Sequence, residues 1–183
     1  MGLGAKIQDD YKTGLKSEKL FKEIAISYGF EILDVYNYYD FVERWEVLLK
    51  KDGKKARVQV KGLKDAHKFG YTWLELTKDD GTYGWLYGKA DVLAIRLSDR
   101  FNIYRMCSLR KLVDEKVDNT RPILKAKPKK ENDKIDYEYM KFRKYNGFGR
   151  RDDTTVIVSL EDIEHCKLFT MMYKLETYDY EKY

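Results

Sequence analysis

Apolar residues first fall into register between Ser17 and Tyr28, where Leu20, Phe21, Ile24 and Ala25 recur at helical spacing and Lys16, Lys19, Lys22 and Glu23 take the intervening positions. Ser17 is the expected N-cap and Gly29 the expected C-cap of this helix. An extended segment, Phe30 to Val35, follows, and a tyrosine-rich loop around Asp40 leads into the stretch Trp45 to Lys61. That stretch predicts a β-hairpin: an apolar run from Trp45 to Leu49, a turn at Asp52-Gly53, then alternation through Ala56, Val58 and Val60. Side chains two apart on a strand share a face, so Gln59 and Lys61 project together while Val58 and Val60 face a core.

Beyond Lys61 a polar loop runs to Gly70, and Tyr71 to Leu76 is rich in β-forming residues. Lys78 to Gly84 reads as a turn; Trp85-Leu86-Tyr87, Asp91 to Leu97 and Phe101 to Met106 read as further strands, and Ser108 as the cap of a short helix ending near Val117. From Asp118 to Asp136 periodicity disappears around Pro122, Pro128 and a lysine-rich run, the signature of a basic linker or long loop. Tyr137 to Tyr145 and Thr154 to Val158 predict strands flanking an Asn146 to Arg151 turn, and Ser159 or Glu161 opens a helical turn. Cys166 to Leu175 is apolar without a settled period.

A helix, several strands and a second helix predict an α/β class, with α+β as the variant, around one central mixed sheet flanked by helices. The expected organisation is a core over residues 1–117, a flexible basic linker or loop over 118–136, and a small C-terminal α+β extension over 137–183 packing on the core. At 183 residues the chain supports one main core rather than two full domains. It carries no apolar run near the roughly 20 residues a bilayer span needs and no signal-like N-terminus, so the expectation is a cytoplasmic protein with no membrane partner. Cys107 and Cys166 lie far apart without metal-binding spacing, and His67 and His165 lack companion ligands.

The net charge of +5 is modest, but its distribution is uneven: Lys50, Lys51, Lys54, Lys55 and Arg57 cluster, as do basic residues from Arg121 to Lys134 and from Lys141 to Arg151. Three basic segments in a tyrosine-rich chain fit a polyanion surface. Glu46 and Gln59 are joined by the hairpin, and Lys61 follows Gln59 by two. An acidic oxygen and an amide oxygen are ligands for Mg²⁺, and a lysine ammonium orients water or offsets phosphate charge. Cross-strand pairing of Glu46 with Lys61 on a solvated strand accounts for the same residues without chemistry.

Glu46 on one strand and Gln59-Val60-Lys61 on the next resemble the PD-(D/E)XK nuclease superfamily, whose pattern is an acid on one strand followed by acid-x-lysine on its neighbour. Lys12-Thr13-Gly14-Leu15-Lys16-Ser17-Glu18 resembles the opening of the archaeal Holliday-junction-resolvase branch, with Glu18 matching that branch's helix glutamate. Gly84 to Asp91, with Trp45-Glu46-Val47 and Val60-Lys61-Gly62, is similar to segments of uncharacterised phage nuclease-like proteins. The resemblance covers about Lys12 to Val117. Glu46 stands where the family more often has Asp, and Gln59 where it more often has Glu or Asp, although some members use Gln; the change removes one negative charge.

The resemblance implies a restriction-endonuclease-like core and a Mg²⁺-dependent endonuclease, with Mn²⁺ as substitute, acting on duplex or branched DNA in the host cytoplasm if phage-encoded. It implies Glu18, Glu46 and Gln59 as metal ligands, Lys61 as the residue that orients the nucleophile or stabilises charge, and a homodimer as the assembly. Lys12 and the Arg150-Arg151 turn are the candidate backbone contacts. Asp40 competes with Glu46 for the first-acid role, and Glu18 or Glu75 is the candidate for the carboxylate that Gln59 does not supply. A nucleic-acid-binding module without catalysis, and a phage factor engaging a host complex, are the alternatives.

Overall fold

A computed structural model describes residues 3–33, 42–62, 70–78, 80–124, 139–145 and 152–173. Their elements are α1 (Leu3–Ser27), β1 (Glu31–Leu33), β2 (Val47–Lys51), β3 (Lys54–Gly62), β4 (Tyr71–Thr77), β5 (Val92–Arg96), β6 (Arg100–Arg105), α2 (Met106–Lys116), β7 (Lys141–Tyr145), β8 (Asp152–Ser159) and β9 (Lys167–Met172). The fold is mixed α/β. A six-stranded sheet has the order β1-β2-β3-β5-β6-β9, and a three-stranded sheet the order β4-β8-β7. Only the β3–β5 pair is parallel among these ladders, and the connection between its two strands carries β4, so the crossover itself builds the second sheet.

The hairpin forms as the sequence predicts. Val47 pairs with Val58 and Lys51 with Lys54, leaving Asp52 and Gly53 as a two-residue turn with φ of 50° and 74°. Both central residues at positive φ define a type I′ turn, whose twist matches the flanking strands, and Asp-Gly is among its preferred sequences.

Helix α1 extends far upstream of the expected start. Ser17 is therefore an interior residue rather than an N-cap. It is buried, and its hydroxyl accepts a hydrogen bond from Arg96 Nη1 at 3.3 Å, so a tertiary partner satisfies the group that was expected to serve the helix terminus. The C-terminus is as expected: Gly29, at φ 79°, donates to the Ile26 carbonyl and Phe30 to that of Ala25, the two bonds of a Schellman motif.

Two other expectations change, and one open segment is settled. Trp85–Tyr87 is a 3-10 turn rather than a strand, closed by the Gly88 amide on the Trp85 carbonyl and bounded by Gly84 and Gly88. Helix α2 begins at Met106 with Arg105 at its cap position, so Ser108 lies inside it. The unsettled apolar segment supplies β9, which adds to β6. Ser159 does begin a turn, since its hydroxyl accepts the Asp162 amide at 3.0 Å. The turn at 146–151 and the loop around Asp40 lie outside the described residues.

Two apolar layers sandwich the large sheet. On one face Leu20, Phe21, Ile24 and Ala25 of α1 pack with Val58, Val60, Ala94 and Ile103. On the other, Leu93, Ile95 and Tyr104 meet Leu74, Leu76, Val156 and Val158 of the second sheet and Leu109, Leu112 and Val113 of α2. The C-terminal residues thus supply two strands, β7 and β8, to the small sheet and one, β9, to the large sheet.

The large sheet curls around α1. Phe30, immediately before the edge strand β1, stacks on Phe169 of the opposite edge strand with ring centroids 6.4 Å apart. The Tyr28 hydroxyl accepts the Met172 amide at 2.8 Å, occupying a backbone donor on β9. No described helix is long and apolar enough to cross a membrane.

Phe21 is fully buried and meets Phe101 edge to face at 5.3 Å. Phe21→Ala is expected to cost about 3–5 kcal/mol through lost transfer energy and a residual cavity. A lower urea midpoint at unchanged m-value is the expected readout; an unchanged midpoint would show that α1 does not anchor this layer.

Candidate functional site

Strand parity sends Gln59 and Lys61 to the face opposite α1, because Val58 and Val60 belong to the α1 layer. Gln59 pairs with Leu93 and Lys61 with Ile95, so both lie on the side shared with the second sheet. Gln59 is only 2% exposed. A buried amide needs partners, and Glu46, just before β2, supplies one: Gln59 Nε2 donates to Glu46 Oε1 at 2.5 Å.

The other Glu46 oxygen accepts the Val60 backbone amide at 2.8 Å. Lys61 Nζ lies 3.7 Å from Glu46 Oε1, with 28% of the Lys61 side chain and 18% of the Glu46 side chain exposed. The Lys61 ammonium also sits 5.2 Å from the centroid of the Trp85 ring, within cation–π range. Glu46, Gln59 and Lys61 therefore meet at a half-open edge with an indole as one wall.

Glu18 is placed elsewhere. Its carboxylate accepts the Lys22 ammonium one turn along α1, on the helix that covers the opposite face of the sheet. Among the described residues no three His, Cys, Asp or Glu side chains gather as a group able to hold a metal ion. The backbone of Lys12 lies within α1; its side chain, with Arg150 and Arg151, falls outside the described residues. Glu75 Oε1 accepts the Trp85 amide at 3.3 Å, so this carboxylate holds the wall of the site.

That wall is pinned at several points. Arg110 on α2 donates to the carbonyls of Leu86, Gly88 and Ala90 at 2.7, 2.6 and 3.1 Å. The desolvation that accompanies this burial pushes the Arg110 pKa below its usual value. Gly84 and Gly88 are sterically required: a Cβ on the first would lie 2.5 Å from the Glu75 carbonyl oxygen, and on the second 2.5 Å from Arg44 Cβ. Glu43 accepts from Lys89 Nζ at 2.8 Å and from Trp45 Nε1 at 2.9 Å. The Lys89 bond, then the Trp45 bond, lowers the Glu43 pKa.

At the base of the same segment Asp91 grips β3. Its Oδ2 accepts both the Arg57 amide at 2.8 Å and Arg57 Nε at 3.0 Å, and Oδ1 accepts Nη2 at 2.8 Å. The sequence gives no spacing rule for these long-range pairs. The glycines at 84 and 88 were the available signal, since they bracket the residues that must pass close to other backbone.

Comparison with protein-family models, with curated proteins and with solved structures returned no match.

Hydrogen bonding to Arg57 is the main cause that holds the Asp91 pKa below its ordinary value. A depressed carboxylate pKa adds stability above the unfolded value of about 3.9 and loses it as pH falls through the folded value. The stability of the wild type is thus expected to fall more steeply below about pH 4 than that of Asp91→Asn. Thermal unfolding at stepped acid pH measures this, and parallel curves would show that the pair contributes nothing.

Proposed function

We propose that this chain is a metal-dependent endonuclease that hydrolyses DNA phosphodiester bonds, structure-specific and phage-encoded in its finer reading. The observation that supports it is the meeting of Glu46, Gln59 and Lys61 from adjacent strands at a partly exposed edge. The order of elements, α1 then an antiparallel β1-β2-β3 meander then β5 parallel to β3, accords with the PD-(D/E)XK resemblance.

The donor chemistry fits a hard cation. Glu46 Oε1 accepts from Gln59 and Oε2 from Val60, and an ionised carboxylate offers about four acceptor sites in all. Gln59 spends its NH₂ on Glu46 and keeps an amide oxygen. Mg²⁺ is commonly bound through one or two carboxylates and several waters, so Glu46 and Gln59 would hold it at low negative charge. A cation held there by Glu46 and Gln59 would polarise the phosphate and acidify a water.

The chain's own residues do the rest. Glu46 fixes the Gln59 amide and orients the Lys61 ammonium, Lys61 offsets charge on the phosphate, and Trp85 excludes water from one side of the ammonium. Lys12, Arg150 and Arg151 are proposed to contact the DNA backbone; Glu18, paired with Lys22 on the helix that covers the opposite face of the sheet, is not part of this site. A homodimer would present two such sites.

A second reading is a nucleic-acid-binding module without catalysis. It is favoured by the self-satisfaction of the cluster, in which Gln59 and Val60 already donate to both oxygens of Glu46.

Incubation with supercoiled, linear and branched DNA and Mg²⁺ or Mn²⁺ separates the two readings. Loss of one charge-stabilising donor typically costs about 10²–10³ in rate, so Lys61→Ala is expected to slow cleavage by about that factor. Undiminished cleavage by Lys61→Ala would remove Lys61 from the site, and absence of cleavage on all substrates leaves the binding module. Gln59→Glu replaces the amide that donates to Glu46 with a second carboxylate and is expected to lower the Mg²⁺ concentration needed for half-maximal cleavage at a pH where both are ionised; an unchanged requirement would show that Gln59 is not a ligand.

A further inference from the structure

The tip of the β2–β3 hairpin holds an unfavourable charge arrangement. Lys50 faces Lys55 and Lys51 faces Lys54 in direct cross-strand register, and like charges placed opposite each other destabilise a hairpin. Neither the turn nor the core requires this. The turn needs only Asp52-Gly53, and the apolar positions begin at Ala56. Two of the four lysines are tied back: Lys50 to Glu31 at 2.9 Å and Lys51 to the Tyr28 carbonyl at 2.8 Å. Lys54 and Lys55 are exposed.

The tip also projects. Strand β5 pairs with β3 only from Val58 onward and Asp91 holds the Arg57 backbone just before it, so residues 54–56 extend past with one edge uncovered by any described strand. Lysines on such an edge can serve merely to block strand addition. One or two would do that, whereas two facing pairs maintain a positive tip against their own repulsion.

We propose that this tip is an arm that binds the phosphate backbone of duplex nucleic acid through Lys54 and Lys55. It deepens the DNA reading above, naming where the duplex runs. Lys55 and Lys61 share one face of β3 and are six residues apart, about 20 Å at the rise of a strand. A duplex advances about 3.4 Å per base pair, so the arm meets the backbone about six base pairs from the phosphate at Lys61.

Binding of a 20-base-pair duplex, followed by fluorescence anisotropy in EDTA across a salt series, tests the arm without involving hydrolysis. Each phosphate contact contributes about 0.9 to the slope of log K against log salt. The Lys54→Ala/Lys55→Ala double variant is expected to have a slope shallower by about 1.8 and at least about tenfold weaker binding at low salt. Lys111→Ala/Lys116→Ala removes the same charge from exposed positions of α2 and is expected to leave the slope unchanged.

Equal losses in both double variants would reduce the effect to net charge and overturn the arm. So would an unchanged slope, self-association of the hairpin variant with DNA binding intact, or failure of the wild type to bind duplex at low salt. Cleavage in Mg²⁺ with an unchanged slope overturns the arm alone; arm-dependent binding without cleavage of any substrate overturns the hydrolytic reading alone.

Discussion

A glutamine amide buried in the middle of a sheet must find hydrogen-bond partners there, because desolvating it without compensation costs more than most single contacts return. Gln59 is in that position, and its need brings Glu46 onto the same edge. The resulting carboxylate is in turn a charge withdrawn from water. It is compensated by a side-chain amide, a backbone amide and the neighbouring ammonium of Lys61. The polar edge is therefore a consequence of one strand having both faces covered, Val58 and Val60 by the helix and Gln59 by the layer on the other side.

The surroundings hold this edge from outside the strand. Trp85 lies on a 3-10 turn rather than on a strand, so its ring can stand over Lys61 while its backbone is held by Glu75. Arg110 fixes the three carbonyls that follow, and Asp91 returns the chain to β3 through Arg57. Rigidity here comes from charge-assisted bonds to backbone, which are stronger than neutral ones, rather than from regular secondary structure.

Much of the architecture was legible because it rests on local chemistry. The Asp52-Gly53 turn, the alternation of Val58 and Val60 and the glycine after α1 each encode their own geometry. What was not legible depends on distant partners. Ser17 has the composition of a cap, yet Arg96 claims its hydroxyl. Trp85-Leu86-Tyr87 has the composition of a strand, yet two glycines in steric contact with other segments bend it. The candidate site shows the same division. Glu46, Gln59 and Lys61 meet because register within one hairpin sets them together, whereas the position of Glu18 depends on which face of the sheet α1 covers.

The contact between the two edges of the large sheet bears on how the chain is made. Phe30 stacks on Phe169, and Tyr28 reaches Met172 across 144 positions of sequence. Strand β8 is the centre of the small sheet and β9 the last strand of the large one. Such pairings carry a high loop-closure cost and slow folding. During synthesis the earlier strands emerge with β4 lacking its neighbour and β6 open at its edge. The small sheet cannot close until β8 has left the ribosome, nor the large one until β9 has, and in that interval exposed strand edges invite association.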